Sequence, residues 1–422
     1  MKQLKNQSYL IFQPSTKYKT QRISIRFLLP YTIQTASQMT LLARMMEAGS
    51  KEISSKSEIE AILADLYGAD LSISGQRRGN YYEVSLSSTI IREKLVQDNL
   101  TEPWFNLIEE LLFNQEFSLE NSNFNKRFKL EKSLLLQYID RLKDLPARLV
   151  TRRLIDTLYQ SDKSLAAGSF GTKEAVEAIT SSDIQEAYQT LLTKSHIVVL
   201  VHGEFEQKQL ESWINGWPVQ SRDLELDFQS NIIPLPDQPI GFKKEKIQAQ
   251  QGNLLMAYRI PKSLNFEERV LALVANGLFG ALPTSRLFMT IREQESLAYS
   301  IHSSLNLTRQ LLLVSAGIPF DKGEYVYRAI EAQRQELVQD LASGLTLDDV
   351  KLTFKSNNIQ ARDFQSNETD LLFSEFTRPE EDHSLDRYLQ VIQQINSNQI
   401  HDFLANLTVQ GAYFLEGGPI HE

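Results

Sequence analysis

The 422-residue chain contains no cysteine, and none of its first 195 residues is a histidine. The first absence excludes disulfides, iron–sulfur clusters, thiol nucleophiles and thiolate-held zinc. The second leaves any metal held by residues 1–195 alone to carboxylates. No run of about 18 apolar residues occurs, so no membrane-spanning helix is expected. The N-terminal MKQLKNQSYLIF lacks the apolar stretch of about 7–15 residues that a secretory signal needs, and the expected location is the cytoplasm. With 44 Lys+Arg against 53 Asp+Glu the net charge is −9, which argues against a dedicated nucleic-acid binder. Also missing are HExxH, HxxEH, HxH, a GxSxG elbow and the GxxxxGK[ST] phosphate loop; the nearest approach to the last, AAGSFGTKE, reads as a turn opening a helix at Thr172.

What the chain does have is ample core, 42% hydrophobic and 9% aromatic residues, enough for two or three globular domains. Its strongest organising signal is an internal repeat. Ile23, Ile25, Phe27 and Leu29 alternate with other residues up to Pro30, a period-2 pattern that predicts a strand with one buried face. Leu254, Met256, Tyr258, Ile260 and Pro261 repeat it 231 residues later, and the same offset relates Gly49 to Gly280, each expected at a helix C-cap, and Leu66 to Leu297. The ends of the halves also match. Thr180 with Asp183, and Asn396 with Gln399, predict capping boxes on helices that lead into strands closed by Gly203 and Gly417. Pro218, Pro234, Pro236 and Pro239 mark a linker. The expected organisation is a 1–215 domain, a 216–240 linker and a 241–422 domain, each α+β with a sheet covered by helices.

The histidines are His196, His202, His302, His383, His401 and His421. His196 and His202 flank a predicted strand and read as polar strand ends; His383, in RPEEDHSLD, reads as part of a solvated loop. A self-sufficient metal site therefore has little support, and an enzyme drawing on this set is the weakest of the alternatives.

The order of strand, helix, Gly49-Ser50, Ser57-Glu58-Ile59, Leu66-Tyr67-Gly68-Ala69 and the strand YYEVSLSS resembles the N-terminal half of the M16 metallopeptidases, the pitrilysin and mitochondrial processing peptidase family. FKLEKSLLLQYIDRLKDLP resembles the helix that supplies that family's third zinc ligand, and GSFGTKEAVEAITSSDIQEAY a later family segment. The resemblance implies two homologous LuxS/MPP-like metallohydrolase domains, each a mostly antiparallel sheet under helices, arranged as a clamshell. More narrowly, the chain resembles the Gram-positive branch associated with modification of elongation factor P.

The departures matter as much as the match. The family's HxxEH falls on Thr40, Ala43 and Arg44, and Gln137 and Tyr138 stand where a glutamate pair is expected. Threonine is a poor zinc ligand, alanine has no base, and a guanidinium repels a cation. By resemblance this is an M16 homologue with no zinc of its own. SRLFMTIREQESLAYS resembles the family's C-terminal substrate-orienting motif, whose Arg and Tyr match Arg292 and Tyr299. A guanidinium forks two donors onto a carbonyl or carboxylate, and a phenol is a neutral donor suited to a developing oxyanion. A purely structural alternative pairs Arg292 with Glu295 and packs the Tyr299 ring into the sheet.

Two functions follow from the resemblance. In one, the chain is the non-catalytic half of a heterodimeric peptidase whose HxxEH partner holds Zn2+, with Arg292 and Tyr299 binding substrate in trans. In the other, it is a proteolytically dead structural or peptide-binding protein, self-associating or not. Neither requires a membrane or a nucleic acid.

Overall fold

The computed structural model describes residues 1–220, 228 and 231–418. Of the expected 216–240 linker, 221–227 and 229–230 lie outside the described residues, as does His421. The chain forms two compact units, each built from non-contiguous stretches. Residues 1–139, 167–231 and 362–378 form the first unit, and 140–166, 232–361 and 379–422 the second.

The sheet of the first unit holds β1 (Lys2–Gln3), β2 (Tyr9–Pro14), β3 (Thr20–Pro30), β4 (Asp70–Arg78), β5 (Tyr81–Ile91) and β6 (His196–Gly203), in the order β1-β2-β6-β3-β5-β4. That of the second holds β7 (Phe242–Lys246), β8 (Gly252–Arg259), β9 (Ser300–Asn306), β10 (Leu311–Ile318) and β11 (Thr408–Glu416), in the order β7-β11-β8-β10-β9. One parallel pair occurs in each, β2 with β6 and β7 with β11; the rest is antiparallel. Strand for strand the second order reproduces the first without β1, so the 231-residue offset reflects a repeated α+β fold.

One face of each sheet meets helices from its own half. Ile23, Ile25 and Phe27 pack with Leu42 and Met46 of helix Ile33–Glu47, Ile108 of helix Thr101–Phe113 and Leu191 of helix Ser181–Lys194. Leu254, Met256 and Tyr258 pack with Val274, Ile330 and Ile400. Both capping boxes form, each with its reciprocal pair of hydrogen bonds. Gly49 follows the first helix at φ +155°, where a Cβ would stand 2.6 Å from the Ile53 carbonyl oxygen. Gly280 departs from expectation: it lies inside a π-helical turn, Gly277–Ala281, that prolongs helix Phe266–Asn276. Its bare backbone lets Ser303 Oγ approach to 2.6 Å of where a Cβ would be.

The opposite faces correct the sequence reading. Alternation in β3 predicted one buried face, yet Ser24, Arg26 and Leu28 are buried as well. Their cover is the 13-residue helix Gln365–Thr377, whose Leu372 and Phe373 pack on Ile11, Leu28, Val198 and Leu200. In the second unit the 13-residue helix Pro146–Leu158 does the same, laying Val150, Leu154 and Leu158, four residues apart on one face, against Leu255, Ala257, Leu311 and Leu415. Each sheet is thus completed by a helix from the other half of the sequence. The linker stretch is anchored too: Ile233 and Leu235 are buried in that same cluster, and Gln410 Nε2 donates to the Pro236 carbonyl at 2.8 Å.

Arg26 looks like a solvent-facing residue in sequence but is held by charge. Its Nη1 lies 3.6 Å from Glu83 Oε2, its Nη2 reaches Asp370, and the Phe373 ring lies 4.1 Å from its guanidinium carbon. Glu83 is only 1% exposed. Removing Arg26 would leave the buried Glu83 carboxylate with only the part-exposed Arg78, 3.5 Å away, and the Gln76 amide, whereas replacing both members with apolar groups can be nearly neutral. Arg26→Met should therefore lose about 1–3 kcal/mol, and the Arg26→Met/Glu83→Leu double variant should recover most of it, as read from urea unfolding midpoints.

Candidate functional site

Thr40, Ala43 and Arg44 lie on helix Ile33–Glu47, started by Thr32, whose side chain accepts from Thr35 N. Thr40 Oγ1 lies 2.7 Å from the Ala36 carbonyl, 2.9 Å from the Ser169 carbonyl and 2.7 Å from Tyr82 OH. A hydroxyl has one proton to give, so it shares that proton between the carbonyls and accepts from the phenol. Tyr82 is buried, which pushes its phenol well above the ordinary value and keeps it a donor. Ala43 is buried.

Arg44 places both Nε and Nη2 3.1 Å from Glu131 Oε2, with Glu131 only 9% exposed on helix Ser122–Arg141. Gln137 and Tyr138 do not join them. Gln137 Nε2 donates to Ser133 Oγ at 3.3 Å, and Tyr138 is exposed.

These residues do not fit a zinc ion. The nearby carboxylate is already committed to a guanidinium, the threonine oxygen is saturated, and among the described residues no three His, Asp or Glu side chains converge. His196 and His202 are both buried within β6, six residues apart and so about 20 Å along an extended strand, too far to share an ion. His383 is buried rather than solvated, its Nε2 3.6 Å from Glu381, because the acidic run folds back against Phe266 and Arg269.

Arg292 and Tyr299 lie at a helix-to-strand junction of the second unit. Arg292 is in a second π-helical turn, Phe288–Gln294, and Tyr299 immediately precedes β9, the sheet's edge strand. Leu297 N donates to the Ile291 carbonyl at 2.8 Å, folding the connection back on the turn, and Ser296 takes φ +51° to permit it. Underneath, Ser303 Oγ meets Asn276 Oδ1 at 2.5 Å, tying the strand to the first π turn.

The structural alternative is met in part: Arg292 has a surface carboxylate beside it, though not Glu295, and the Tyr299 ring is not packed into the sheet. The acid near Arg292 is Glu293, at 3.5 Å, and its guanidinium carbon lies 4.6 Å from the Phe288 ring centre. Tyr299 is 62% exposed, held by its backbone N–H on the Gly317 carbonyl at 2.8 Å and not by its ring. Both side chains can donate hydrogen bonds to a ligand without first breaking a buried contact. The π turns have no visible sequence signal, although such turns are frequent at functional positions.

A duplicated α+β scaffold, with an ion pair and a saturated threonine where the resemblance would set a metal, is what fold and site define. Residues 178–353 match the family model "Peptidase M16 inactive domain". The chain is 25% identical over 405 residues to the Bacillus subtilis (strain 168) protein "Probable inactive metalloprotease YmfF", covering 95% of this chain and 94% of that one. A solved conserved protein from Enterococcus faecalis V583 superposes with a TM-score of 0.88 at 23% identity over 98% of this chain and 97% of that one. A peptidase M16 inactive domain from Pseudomonas fluorescens gives 0.78 at 15%, over 99% and 97%. The chain is thus similar over nearly its whole length to a probable inactive metalloprotease, and residues 178–353 match an M16 inactive domain.

Arg44→Ala would leave Glu131 buried without its cation and should cost about 1–3 kcal/mol, read from urea unfolding. In equilibrium dialysis neither the parent chain nor this variant should retain stoichiometric zinc.

Proposed function

We propose that this chain is the zinc-free member of a heterodimeric M16 peptidase, supplying Arg292 and Tyr299 to a peptide held near the metal of an HxxEH-bearing partner. Zinc in the partner supplies the Lewis acid and activated water. This chain's share is orientation. The Arg292 guanidinium clamps a backbone carbonyl or a terminal carboxylate, and the Tyr299 hydroxyl donates to the carbonyl oxygen as charge develops on it. The observation that carries the reading is an exposed Tyr299 at the head of an edge strand, with a half-exposed Arg292 in the turn that leads into it. Among the described residues β9 pairs only with β10, so its outer edge has backbone groups to offer an extended peptide. The reading places the pair in the cytoplasm; among the described residues no helix is long and apolar enough to cross a membrane. The same free edge favours the second reading, in which the chain captures extended peptides without taking part in their cleavage.

The test is reconstitution with an HxxEH relative encoded in the same genome. Neither chain alone should cleave a fluorogenic peptide, and the mixture should. Arg292→Ala and Tyr299→Phe should each slow the mixture on the order of 100-fold, as loss of one oxyanion donor does, while assembly by size exclusion stays unchanged. A mixture that cleaves equally well with both variants removes the assigned roles, and one that never cleaves while this chain still binds peptide selects the second reading.

A further inference from the structure

The two edges of the second sheet are built differently. β7, at one edge, reads FKKEK, and its exposed Lys243, Lys244 and Lys246 are the usual guard against pairing with another strand. β9, at the other edge, reads SIHSSLN, with no Lys, Arg, Asp, Glu or Pro, and among the described residues it pairs with β10 alone. His302 is its one ionisable side chain.

His302 also differs from the other described histidines. His196 stacks on Tyr9 with ring centres 5.1 Å apart, the His202 ring meets Tyr18 edge-on at 5.3 Å, His383 lies 3.6 Å from Glu381, and His401 Nδ1 lies 2.9 Å from Asp402. Among the described residues His302 has no hydrogen-bond, ion-pair or ring partner, and it is exposed. Alternation puts it on the face away from the helices. Ile301 and Ser303 are buried, Ile301 in one cluster with Val274 and Ile291, whereas Ser300, His302 and Ser304 are exposed. Ser315 of β10 lies directly across from His302. The hydroxyls of Ser300, Ser304 and Ser315 likewise have no partner among the described residues. An imidazole and small hydroxyls, all able to donate, thus stand open beside an unguarded edge. The charged groups of the neighbouring elements are engaged elsewhere. Glu267, Glu268 and Arg269 of helix Phe266–Asn276 are each in an ion pair, and Arg292 and Glu293 lie beside each other in the turn on the helix side. β10 and the turn Gly277–Ala281 carry no charged side chain, and Arg309, beyond the far end of β9, lies over the Tyr159 ring.

We propose that His302 sets the specificity of the β9 edge, selecting an extended peptide that carries a carboxylate side chain opposite it. The inference rests on the reading that this edge receives the peptide, and adds what the peptide must contain. A residue directly opposite His302 in an antiparallel pair projects to the same face with its Cβ about 4.5–5.5 Å away, within reach for a glutamate. An imidazole takes up a proton between about pH 5 and 8, and a carboxylate beside it favours the charged form. The serine hydroxyls can donate to the carboxylate oxygens that the imidazole leaves free. A lysine or arginine at the same peptide position would meet a like charge, and an apolar side chain would cover these polar groups and satisfy none of them.

Binding of short fluorescein-labelled peptides of Thr, Val and Gln to the full chain is read by fluorescence polarisation, with a single Glu replacing Gln at each position in turn. At about pH 6 the Glu should tighten binding about two- to five-fold at one register position, and the gain should shrink toward none at about pH 8. His302→Gln, which keeps hydrogen bonding without charge, should erase the preference for Glu. His302→Lys, charged throughout, should retain it at both pH values. Equal binding of Glu and Gln peptides at every position at the lower pH overturns the inference and leaves the peptide-capturing edge standing. So does a preference that is independent of pH in the parent chain, survives in His302→Gln or is lost in His302→Lys. Failure of every peptide to bind overturns the reading underneath, and the inference with it.

Discussion

Both sheets carry apolar side chains on both faces, and a face of Leu, Val and Ile left in water forfeits about 1.5–3 kcal/mol per large side chain. Each sheet must therefore be covered twice. The first cover comes from helices next in sequence, and the second from a helix of the other half: Gln365–Thr377 over Ile11, Leu28, Val198 and Leu200, and Pro146–Leu158 over Leu255, Ala257, Leu311 and Leu415. The chain has to pass from one unit to the other and back to meet this requirement. The duplicated fold is consequently built as one interlaced polypeptide, and a cut at the Pro-rich stretch would leave each sheet with one face bare.

Where the resemblance would set a metal, the first unit is held together by other means. On helix Ile33–Glu47 Arg44 pairs with Glu131, and Thr40 is saturated by Tyr82 and two carbonyls. An ion pair can satisfy a buried carboxylate as a cation would, so the helices can stay packed without a metal. At the other end of the chain Arg292 and Tyr299 carry no comparable structural duty, because neither is buried and the local backbone is held by Leu297, Gly317 and Ser303. Side chains that are not buried, in and just beyond a widened helical turn, are suited to meeting a ligand.

Much of this was legible in the sequence. The 231-residue offset, the period-2 strands and the two capping boxes act locally, through side-chain spacing and the hydrogen bonds of adjacent residues. The loss of HxxEH at Thr40, Ala43 and Arg44 could be read directly. What could not be read depends on residues far apart in the chain. Arg26 looked solvent-facing because Glu83 and Asp370 are 57 and 344 positions away. The Arg44–Glu131 pair leaves no local signal, since its members are 87 positions apart and Glu131 lies one to two turns before Gln137 and Tyr138 on the same helix. Gly280 looked like a helix cap because a π turn leaves no pattern in composition.

The account stands on Tyr299 meeting substrate, and the most direct measurement is photo-crosslinking from benzoylphenylalanine introduced in its place. With the HxxEH partner and a labelled peptide present, irradiation should join the peptide to this chain at position 299. The same group at Tyr325, an equally exposed tyrosine on helix Gly323–Ala342, should give little. Equal labelling from both positions, or none from position 299 while the pair is cleaving the peptide, would contradict the account.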